Sequence, residues 1–290
     1  MIIRIPGSSA NIGPGFDCFG IGWQVYNNIE FLPANELKIS GCPEEFQNEK
    51  NLAYLGYRAV IDAAGIENKA VEINFLESCI PVSRGLGSSA ALIVGGAVAA
   101  NELYDLTLSR QQILELSTPI EGHPDNIAPS VFGGFTVSVM DGERVVSVPF
   151  PISPRLNFTA LIPDFKLSTE LARSVLPANY SRADAIFNVS RASLLIKALE
   201  LGDAELIAAA LNDRIHQPYR TGLIEGYDKA KQLALSLGAC GVCISGAGPT
   251  ILCISDKADF AEQIKAAMAG LFPSWQVKEL VADTQGAVRI

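Results

Sequence analysis

Residues 81–91 have the composition of a phosphate-binding loop. They read Pro-Val-Ser-Arg-Gly-Leu-Gly-Ser-Ser-Ala-Ala and are followed by small and apolar residues as far as Ala100, which predicts a buried helix that starts at the loop. Glycines let the backbone turn and approach a ligand closely. The first N–H groups of a helix lack partners within the helix and carry partial positive charge. The segment therefore predicts an anion site, and a phosphate is the usual anion.

Three further segments combine polar side chains with glycine and proline. They are residues 6–17, residues 121–126, and the turn at 245–250 (Ser-Gly-Ala-Gly-Pro-Thr) between two predicted strands. Loops of this kind commonly carry binding groups, and the last can hold backbone N–H groups toward an anion. The only two histidines, His123 and His216, both lie beside other polar side chains. These segments are the candidates for the rest of a functional site.

The cysteines do not predict a metal site. Cys240 and Cys243 have C-x-x-C spacing, but no second pair and no nearby histidine completes a zinc site. Residues 241–244 are predicted to form a strand, which also disfavours a redox motif at a strand-to-helix turn. Buried, reduced thiols are the simpler interpretation of this pair.

The overall composition is that of a folded enzyme. The chain has 290 residues, of which 49% are hydrophobic and 18% charged, and this length favours two domains. A net charge of −9 argues against binding to nucleic acid or to anionic membranes, since both attract basic surfaces. No apolar run is long enough for a membrane span and the first residues lack a signal-peptide pattern, so a cytoplasmic location is expected.

Hydrophobic periodicity predicts two halves that mix helices and strands. Prolines 149, 151 and 154 place the boundary between a first domain, 1–152, and a second, 153–290. The order of elements in the second half suits an antiparallel sheet with helices on one face. In the first half, strands are predicted at 2–5, 28–32, 37–40 and 71–75, helices at 52–64, 90–103 and 110–116, and a hairpin at 135–139 and 144–148. In the second half, strands are predicted at 158–162, on both sides of Gly246 and at 276–281, and helices at 183–199, 223–237 and 260–271.

The four segments, in this order and spacing, resemble the kinase superfamily named after galactokinase, homoserine kinase, mevalonate kinase and phosphomevalonate kinase (GHMP kinases). The loop at 81–91 and the turn at 245–250 are typical of the whole superfamily. Residues 11–17, 122–126 and 216–220 (His-Gln-Pro-Tyr-Arg) resemble homoserine kinases in particular. The resemblance covers nearly the whole chain. It implies an α+β, two-domain GHMP-kinase fold, with an N-terminal α+β nucleotide-binding domain and a C-terminal ferredoxin-like α/β sandwich.

The resemblance also implies an activity. It is the ATP-dependent phosphorylation of the side-chain hydroxyl of L-homoserine to O-phospho-L-homoserine, for threonine synthesis. The implied cofactors are ATP and Mg²⁺, and a homodimer is a further implication. No nucleic acid or membrane partner is expected.

Roles for single residues follow from the same resemblance. Arg173 and Arg220 would hold the substrate carboxylate, for which the guanidinium fork is suited. Asp17, with Asn11, would bind the ammonium group, Asn126 the reacting hydroxyl, and His123 and Thr169 would line the pocket. The residues expected at ATP are Pro81, Val82, Ser83, Arg84, Gly85, Leu86, Gly87, Ser88, Ser89, Ala90 and Ala91 at the phosphates and Asn51 at the nucleoside.

Two assignments stay open at this stage. Several relatives have a carboxylate where this chain has Asn126, and an amide cannot accept a proton, so Asp125 is a second candidate for the catalytic base. If residues 124–126 are helical, adjacent side chains point about 100° apart, and we then expect only Asn126 to face the substrate, with no protein base. For magnesium, Ser88 is one expected ligand, and either Glu115 or Glu121 supplies the carboxylate.

Other functions fit the sequence less well. Residues 85–90 also satisfy the G-x-G-x-x-A pattern of dinucleotide-binding oxidoreductases, but residues 80–84 separate the pattern from the preceding strand. The G-x-x-x-x-G-K-S/T signature of P-loop ATPases is absent. A non-catalytic relative is disfavoured by the complete set of polar residues. A sister kinase that acts on another small alcohol is the main alternative.

Overall fold

The computed structural model describes residues 1–68, 70–142 and 144–290, which form two sheets covered by helices. The strands are β1 (Ile2–Ala10), β2 (Phe19–Pro33), β3 (Lys38–Ser40), β4 (Val71–Ser78), β5 (Phe135–Asp141), β6 (Arg144–Phe150), β7 (Asn157–Ile162), β8 (Gly241–Ile244), β9 (Ile251–Ser255), β10 (Gln276–Leu280) and β11 (Val288–Arg289). The helices are α1 (Leu52–Ala63), α2 (Ser88–Leu103), α3 (Arg110–Glu121), α4 (Pro124–Phe132), α5 (Thr169–Ser174), α6 (Arg182–Leu201), α7 (Ala204–Ala210), α8 (Gln217–Arg220), α9 (Tyr227–Ser236) and α10 (Phe260–Leu271).

The first sheet has seven strands and supports the helix that follows the loop at 81–91, called the glycine loop below. Its main path is β11-β1-β2-β4-β3, and β5 joins β2 and carries β6. Helix α2 packs between this sheet and α1, and its small residues allow that close contact. A Cβ on Gly96 would lie 1.8 Å from the carbonyl oxygen of Ala53, and one on Gly56 would lie 1.9 Å from that of Ile93. The small, apolar composition of α2 is therefore explained by its burial on all sides.

The second sheet has the order β10-β7-β9-β8, and all its pairs are antiparallel. Numbered along the chain, its strands are arranged 4-1-3-2, with helices between the first and second strands and between the third and fourth. This is the ferredoxin-like arrangement, so the predicted fold class is confirmed. Its own apolar cluster includes Leu161, Ile244, Phe260 and Ile264.

The glycine loop and the end of β1 meet the turn between β8 and β9. Gly246 N donates to Ala10 O at 3.0 Å. Ser245 Oγ lies 2.6 Å from Ser9 Oγ and 2.5 Å from the carbonyl oxygen of Gly85. Two of the polar segments therefore meet the loop at the junction of the two sheets.

Most predicted elements are confirmed, and the differences have physical causes. Residues 6–10 were predicted as loop, yet they continue β1, because a register shift after Pro6 keeps them paired with β2. Helix α3 continues to Glu121, although Pro119 lies inside it. Helices α5 and α7 were not predicted, since each has only six or seven residues and thus little periodicity.

The predicted domain boundary at residue 152 lies between β6 and β7. The chain then returns to the first sheet at its end, where β11 pairs with β1. The division into 1–152 and 153–290 stays a prediction. Within the described ranges, none of the helices combines the length and apolar character needed to cross a bilayer.

The cysteines carry free thiols in this structure. Cys243 lies in β8 and is fully buried, and Cys240 just before it is partly buried. Burial raises the pKa of Cys243 to about 12, which makes the thiol inert at neutral pH. The interpretation of this pair as reduced thiols fits these positions.

Candidate active site

One cavity of about 110 Å³ lies at the junction of the two sheets. It brings together residues from the end of β1, the glycine loop, the start of α4, α5, α8 and the turn after β8. The side chains and backbone that line it are those of Ala10, Asn11, Asp17, residues 81–89, Glu121, His123, Asp125, Asn126, Leu167, Thr169, Arg173, Arg220 and residues 246–248. Most residues predicted from the sequence as functional are thus neighbours in space.

The phosphate end of the cavity is formed by backbone and small side chains. Gly85 and Gly87 have φ of +73° and +70°, which side chains other than glycine rarely adopt. A Cβ would lie 2.2 Å from Ser245 O at Gly85 and 2.1 Å from Ser8 Oγ at Gly87. Helix α2 starts at Ser88 with no side-chain cap on its first N–H groups. Its positive end therefore faces the cavity and suits an anion.

The opposite end of the cavity carries an arginine–carboxylate pair. Arg173, on α5, donates from Nη1 to Asp17 Oδ2 at 3.1 Å and from Nη2 to Asp17 Oδ1 at 2.6 Å. About a third of each side chain is exposed, 37% for Arg173 and 34% for Asp17. Water and a polar ligand can therefore reach both charges, and solvent screening limits how much the pair stabilises the fold.

A second arginine lies beside this pair and is buried. Arg220, at the end of α8, is 1% exposed. Its Nε donates to Ala172 O at 2.9 Å and its Nη1 to Gly246 O at 3.2 Å. Burial and the charge of Arg173 lower the pKa of Arg220, while Asp17 and other carboxylates act in the opposite direction. A buried cation held mainly by carbonyl groups is a strong site for a carboxylate.

The start of α4 presents two polar side chains to different parts of the cavity. The Asp125 carboxylate is hydrogen-bonded to Nδ1 of His123. Asn126 Oδ1 accepts a hydrogen bond from Ser8 Oγ at 2.8 Å and lies next to Gly87 of the glycine loop. Both residues line the cavity, although Asp125 is only 1% exposed, and the expectation that Asn126 alone faces the substrate stays a prediction.

Charges near this turn alter two pKa values. Burial alone lowers the pKa of His123, but its hydrogen bond to Asp125 and the charges of Asp125 and Glu121 outweigh burial, so the net pKa is raised. Burial raises the pKa of Glu121; the charges of His123 and Arg173 oppose it, and that of Asp125 adds to it. The imidazole therefore favours its charged form beside Asp125.

Comparison with known proteins identifies the family of this chain. The GHMP kinases N terminal domain matches residues 51–134, and the GHMP kinases C terminal domain matches residues 195–274. A homoserine kinase of Clostridium botulinum (strain Alaska E43 / Type E3) is 44% identical over 291 residues, which cover 99% of this chain and 98% of that protein. This chain belongs to the homoserine kinase family.

Solved structures agree with this family. The homoserine kinase from Cytophaga hutchinsonii superposes with a TM-score of 0.88 at 28% identity, over 100% of this chain and 97% of that one. The mevalonate kinase of Methanococcus jannaschii superposes with a TM-score of 0.73 at 14% identity over 98% of both chains, a likeness of fold alone. The chain is therefore a kinase, and its family uses ATP as a substrate.

Asn11 lines the cavity of this homoserine kinase family member, and its side chain is already hydrogen-bonded to main-chain groups. Its Nδ2 donates to Gly246 O at 2.8 Å, and its Oδ1 accepts from Asp17 N at 3.0 Å. Both Asn11 and Asp17 have positive φ, 70° and 57°. Asn11 therefore holds the loop that carries Asp17, and its contact with the substrate ammonium stays a prediction.

Four residues predicted for the site do not line the cavity. Ala90 and Ala91 are fully buried in the core behind the glycine loop. Glu115 faces another groove and accepts a hydrogen bond from Gln111 at 2.9 Å, because α3 turns that face away from the cavity. Asn51 caps α1, accepting from Ala53 N at 2.9 Å, and its contact with the nucleoside stays a prediction.

Three ligand atoms of Asp17, His123 and Asp125 lie within 4.8 Å of one another, a spacing that could suit a metal ion. These groups are already paired: Asp17 with Arg173, and His123 with Asp125. An arginine on one of the carboxylates makes this cluster a poor cation site.

Sequence reasoning missed two residues that support the site, Ser8 and Phe16. Ser8 lies beneath Asn126. The Phe16 ring lies under both guanidinium groups, whose carbons are 5.4 Å (Arg173) and 5.1 Å (Arg220) from its centre. Both residues belong to the segment at 6–17, which was predicted to contribute to the site, but neither of them was predicted as a site residue.

Proposed function

We propose that this chain transfers the γ-phosphoryl group of ATP to the side-chain hydroxyl of L-homoserine and releases O-phospho-L-homoserine, a precursor for threonine. The observation that carries the proposal is a single cavity with two unlike ends. One end is a glycine loop with a helix N-terminus, and the other holds two arginines (Arg173 and Arg220) and three carboxylates (Asp17, Glu121 and Asp125). An anionic nucleotide suits the first end and a small zwitterion suits the second.

The charged end suits an amino acid better than a sugar or an isoprenoid. We assign the carboxylate of the substrate to Arg220 and Arg173, and the ammonium group of the substrate to Asp17. The Asp17–Arg173 pair already holds one charge of each sign at the wall. A zwitterion that binds between these side chains offers a new partner to each charge, so neither is left unpaired on burial.

In the proposed transfer, the hydroxyl oxygen of L-homoserine bonds to the γ-phosphorus of ATP as the bond from that phosphorus to the leaving ADP breaks. Asn126 positions the hydroxyl, whose proton passes to a phosphoryl oxygen or to water and not to a side chain. Asn126 lies beside Gly87 of the glycine loop and accepts a hydrogen bond from Ser8. An amide can donate to an oxygen but cannot accept a proton from it. The Asp125 carboxylate is engaged with His123. Positioning and charge stabilisation carry most of a phosphoryl transfer, so a protein base is not required.

We assign magnesium to Ser88 and Glu121, which both line the cavity. A hydroxyl and a carboxylate are the oxygen donors that this ion prefers. Its chemistry there is to neutralise charge on the phosphates. Glu115, the other carboxylate considered, faces away.

The decisive experiment measures ADP release with L-homoserine, mevalonate, galactose and L-serine, each added separately to the same enzyme and ATP–Mg²⁺ mixture. We expect stimulation by L-homoserine well above that by the other three. Equal or greater turnover with another alcohol would move the assignment to a sister kinase, and no stimulation by any of them would refute it. The homodimer and the cytoplasmic location stay predictions.

A further inference from the structure

His216 lies behind the charged end of the cavity and does not line it. It is fully buried. Its Nε2 is 2.8 Å from the carbonyl oxygen of Gly13, and its Nδ1 is 3.3 Å from Nη1 of Arg220. The imidazole therefore joins the loop that carries Asp17 to the buried arginine.

The partners of this imidazole determine where its proton lies. A carbonyl oxygen can only accept, so Nε2 must carry the proton; a guanidinium can only donate, so Nδ1 must present its lone pair. Only the neutral Nε2–H tautomer of His216 satisfies both. A charged or Nδ1–H imidazole would direct an N–H at the cation of Arg220.

The ring of Phe16 links the same groups from the other side. It stacks on His216, with ring centres 5.3 Å apart and planes at 23°, and both arginines of the site lie against it. Phe16 is the residue immediately before Asp17. The two charges expected to bind the ammonium and carboxylate of an amino acid are thus fixed relative to each other through His216 and Phe16.

The charged groups around His216 favour the same state. Asp213 lies 3.7 Å from Nε2, but its carboxylate accepts from the main-chain N–H groups of residues 215–217 and from Asn188 Nδ2. Burial lowers the pKa of His216; Asp213 opposes this, Arg220 adds to it, and the more distant Asp17 opposes it. The net shift keeps the ring neutral at physiological pH.

We propose that His216 is a positioning residue that acts as a neutral Nε2–H imidazole, holding Arg220 at a fixed distance from the Asp17 loop and so setting the spacing of the carboxylate and ammonium sites. The inference rests on the proposed function, because it concerns how the amino acid is recognised. It assigns His216 no contact with the substrate.

Two substitutions separate the two contacts of the ring. His216→Asn places an amide oxygen near the position of Nδ1, where it can accept from Arg220, but the side chain is too short to reach Gly13. His216→Gln places an amide N–H near the position of Nε2, where it can donate to Gly13, but it leaves Arg220 without this acceptor. Each variant therefore removes one contact and keeps the other.

We expect His216→Gln to raise KM for L-homoserine about tenfold or more, since a hydrogen bond to a charged group is lost, and to leave KM for ATP within about twofold. His216→Asn should raise KM for L-homoserine less. Circular dichroism and Tm check that both variants are folded. A folded His216→Gln with unchanged KM for L-homoserine, or with parallel rises in both KM values, would overturn the positioning role.

A second measurement does not depend on activity. Imidazole ¹⁵N NMR of the wild-type protein, with His123→Gln used to assign the signals, reports the tautomer of His216 directly. We expect the neutral Nε2–H form from pH 7 to pH 8. An Nδ1–H or doubly protonated ring in this range refutes the inference. If no turnover of L-homoserine is found but this tautomer is, the proposed substrate fails while the contacts of His216 stand.

Discussion

The two ends of the cavity are built in opposite ways. The phosphate end comes from one continuous stretch, residues 81–89, and depends on backbone conformation and on the absence of side chains. The charged end is assembled from side chains on separate elements: Asp17 after β1, Asp125 on α4, Arg173 on α5 and Arg220 on α8. One end is a local property of the chain, and the other exists only after the two sheets meet.

This difference explains what each end can determine. Backbone N–H groups and a helix terminus attract any phosphate, so the glycine loop fits the whole GHMP superfamily. A constellation of fixed charges discriminates by the positions of charge on a small molecule. Variants at the charged end should therefore change the KM for L-homoserine, whereas variants at the loop should change the kinetics of ATP.

The largest separation is expected from Arg220→Ala. Loss of a buried charged contact costs about 2–5 kcal/mol, so KM for L-homoserine should rise by between about thirtyfold and about five-thousandfold, with little change in KM for ATP. Because the guanidinium also binds Ala172 O and Gly246 O, Arg220→Lys serves as a second variant that keeps the charge. Arg214→Ala, which removes an arginine outside the cavity, is the matched control. Equal rises in KM for L-homoserine and in KM for ATP would contradict the assignment of the two ends to different substrates.

The loop is tested by Gly87→Ala against Gly65→Ala. Both glycines have φ of +70°, so both variants suffer the same backbone strain. At Gly87 the new Cβ would lie 2.1 Å from Ser8 Oγ, whereas at Gly65, its chain neighbours aside, no heavy atom of the described residues lies within 4 Å. We expect about a hundredfold loss of kcat/KM for ATP in Gly87→Ala alone, equivalent to about 2.7 kcal/mol. A similar kinetic loss in Gly65→Ala would attribute the effect to general destabilisation.

How much could be predicted from sequence follows the same division. The glycine loop, the start of α2 and the hairpin of β5 and β6 were predictable, because each depends on neighbours in the chain. The extension of β1 through residues 6–10 was not, because it depends on pairing with β2 after a register shift.

At the charged end, resemblance supplied the residues but not their contacts. Arg173 and Asp17 were predicted to bind opposite charges of the substrate, yet they also bind each other. The helical spacing at 125 and 126 was correct, but it gave no sign that Asn126 accepts a hydrogen bond from Ser8 on β1. Such contacts depend on where distant elements pack, which no local pattern contains.

A smaller effect is expected at Glu121, which lines the cavity near His123 and Asp125. If this carboxylate holds magnesium, Glu121→Gln should raise the Mg²⁺ concentration for half-maximal activity about tenfold or more. Glu115→Gln is the matched control, because Glu115 lies on the same helix but faces away from the cavity. Titration of Mg²⁺ at fixed ATP and L-homoserine measures both. The assignment fails if Glu115→Gln shifts the titration and Glu121→Gln does not.

The substitution Asp125→Asn tests whether a carboxylate at the charged end acts as the catalytic base. Asparagine keeps the shape and can still accept a hydrogen bond from His123, so we expect kcat to fall about tenfold or less. Single-turnover kinetics separate this loss from changes in binding. A thousandfold loss in a folded variant would instead identify Asp125 as the catalytic base.

The smallest effect is a pH dependence that distinguishes the two histidines. The pKa of His123 is raised, although burial alone lowers it, because the hydrogen bond and charge of Asp125 prevail. Protonated His123 thus favours the folded state: its contribution is complete below the unfolded pKa of about 6.5 and is lost as the pH rises through the raised pKa. The Tm difference between wild type and His123→Gln should therefore be larger at pH 6 than at pH 9. Each kcal/mol that protonated His123 adds to the free energy of unfolding corresponds to about 2–4 °C of this difference. Burial lowers the pKa of His216, so the Tm difference between wild type and His216→Gln should not shrink between pH 6 and pH 9. If the Tm differences of both variants shrink alike, the pairing of His123 with Asp125 is not the cause.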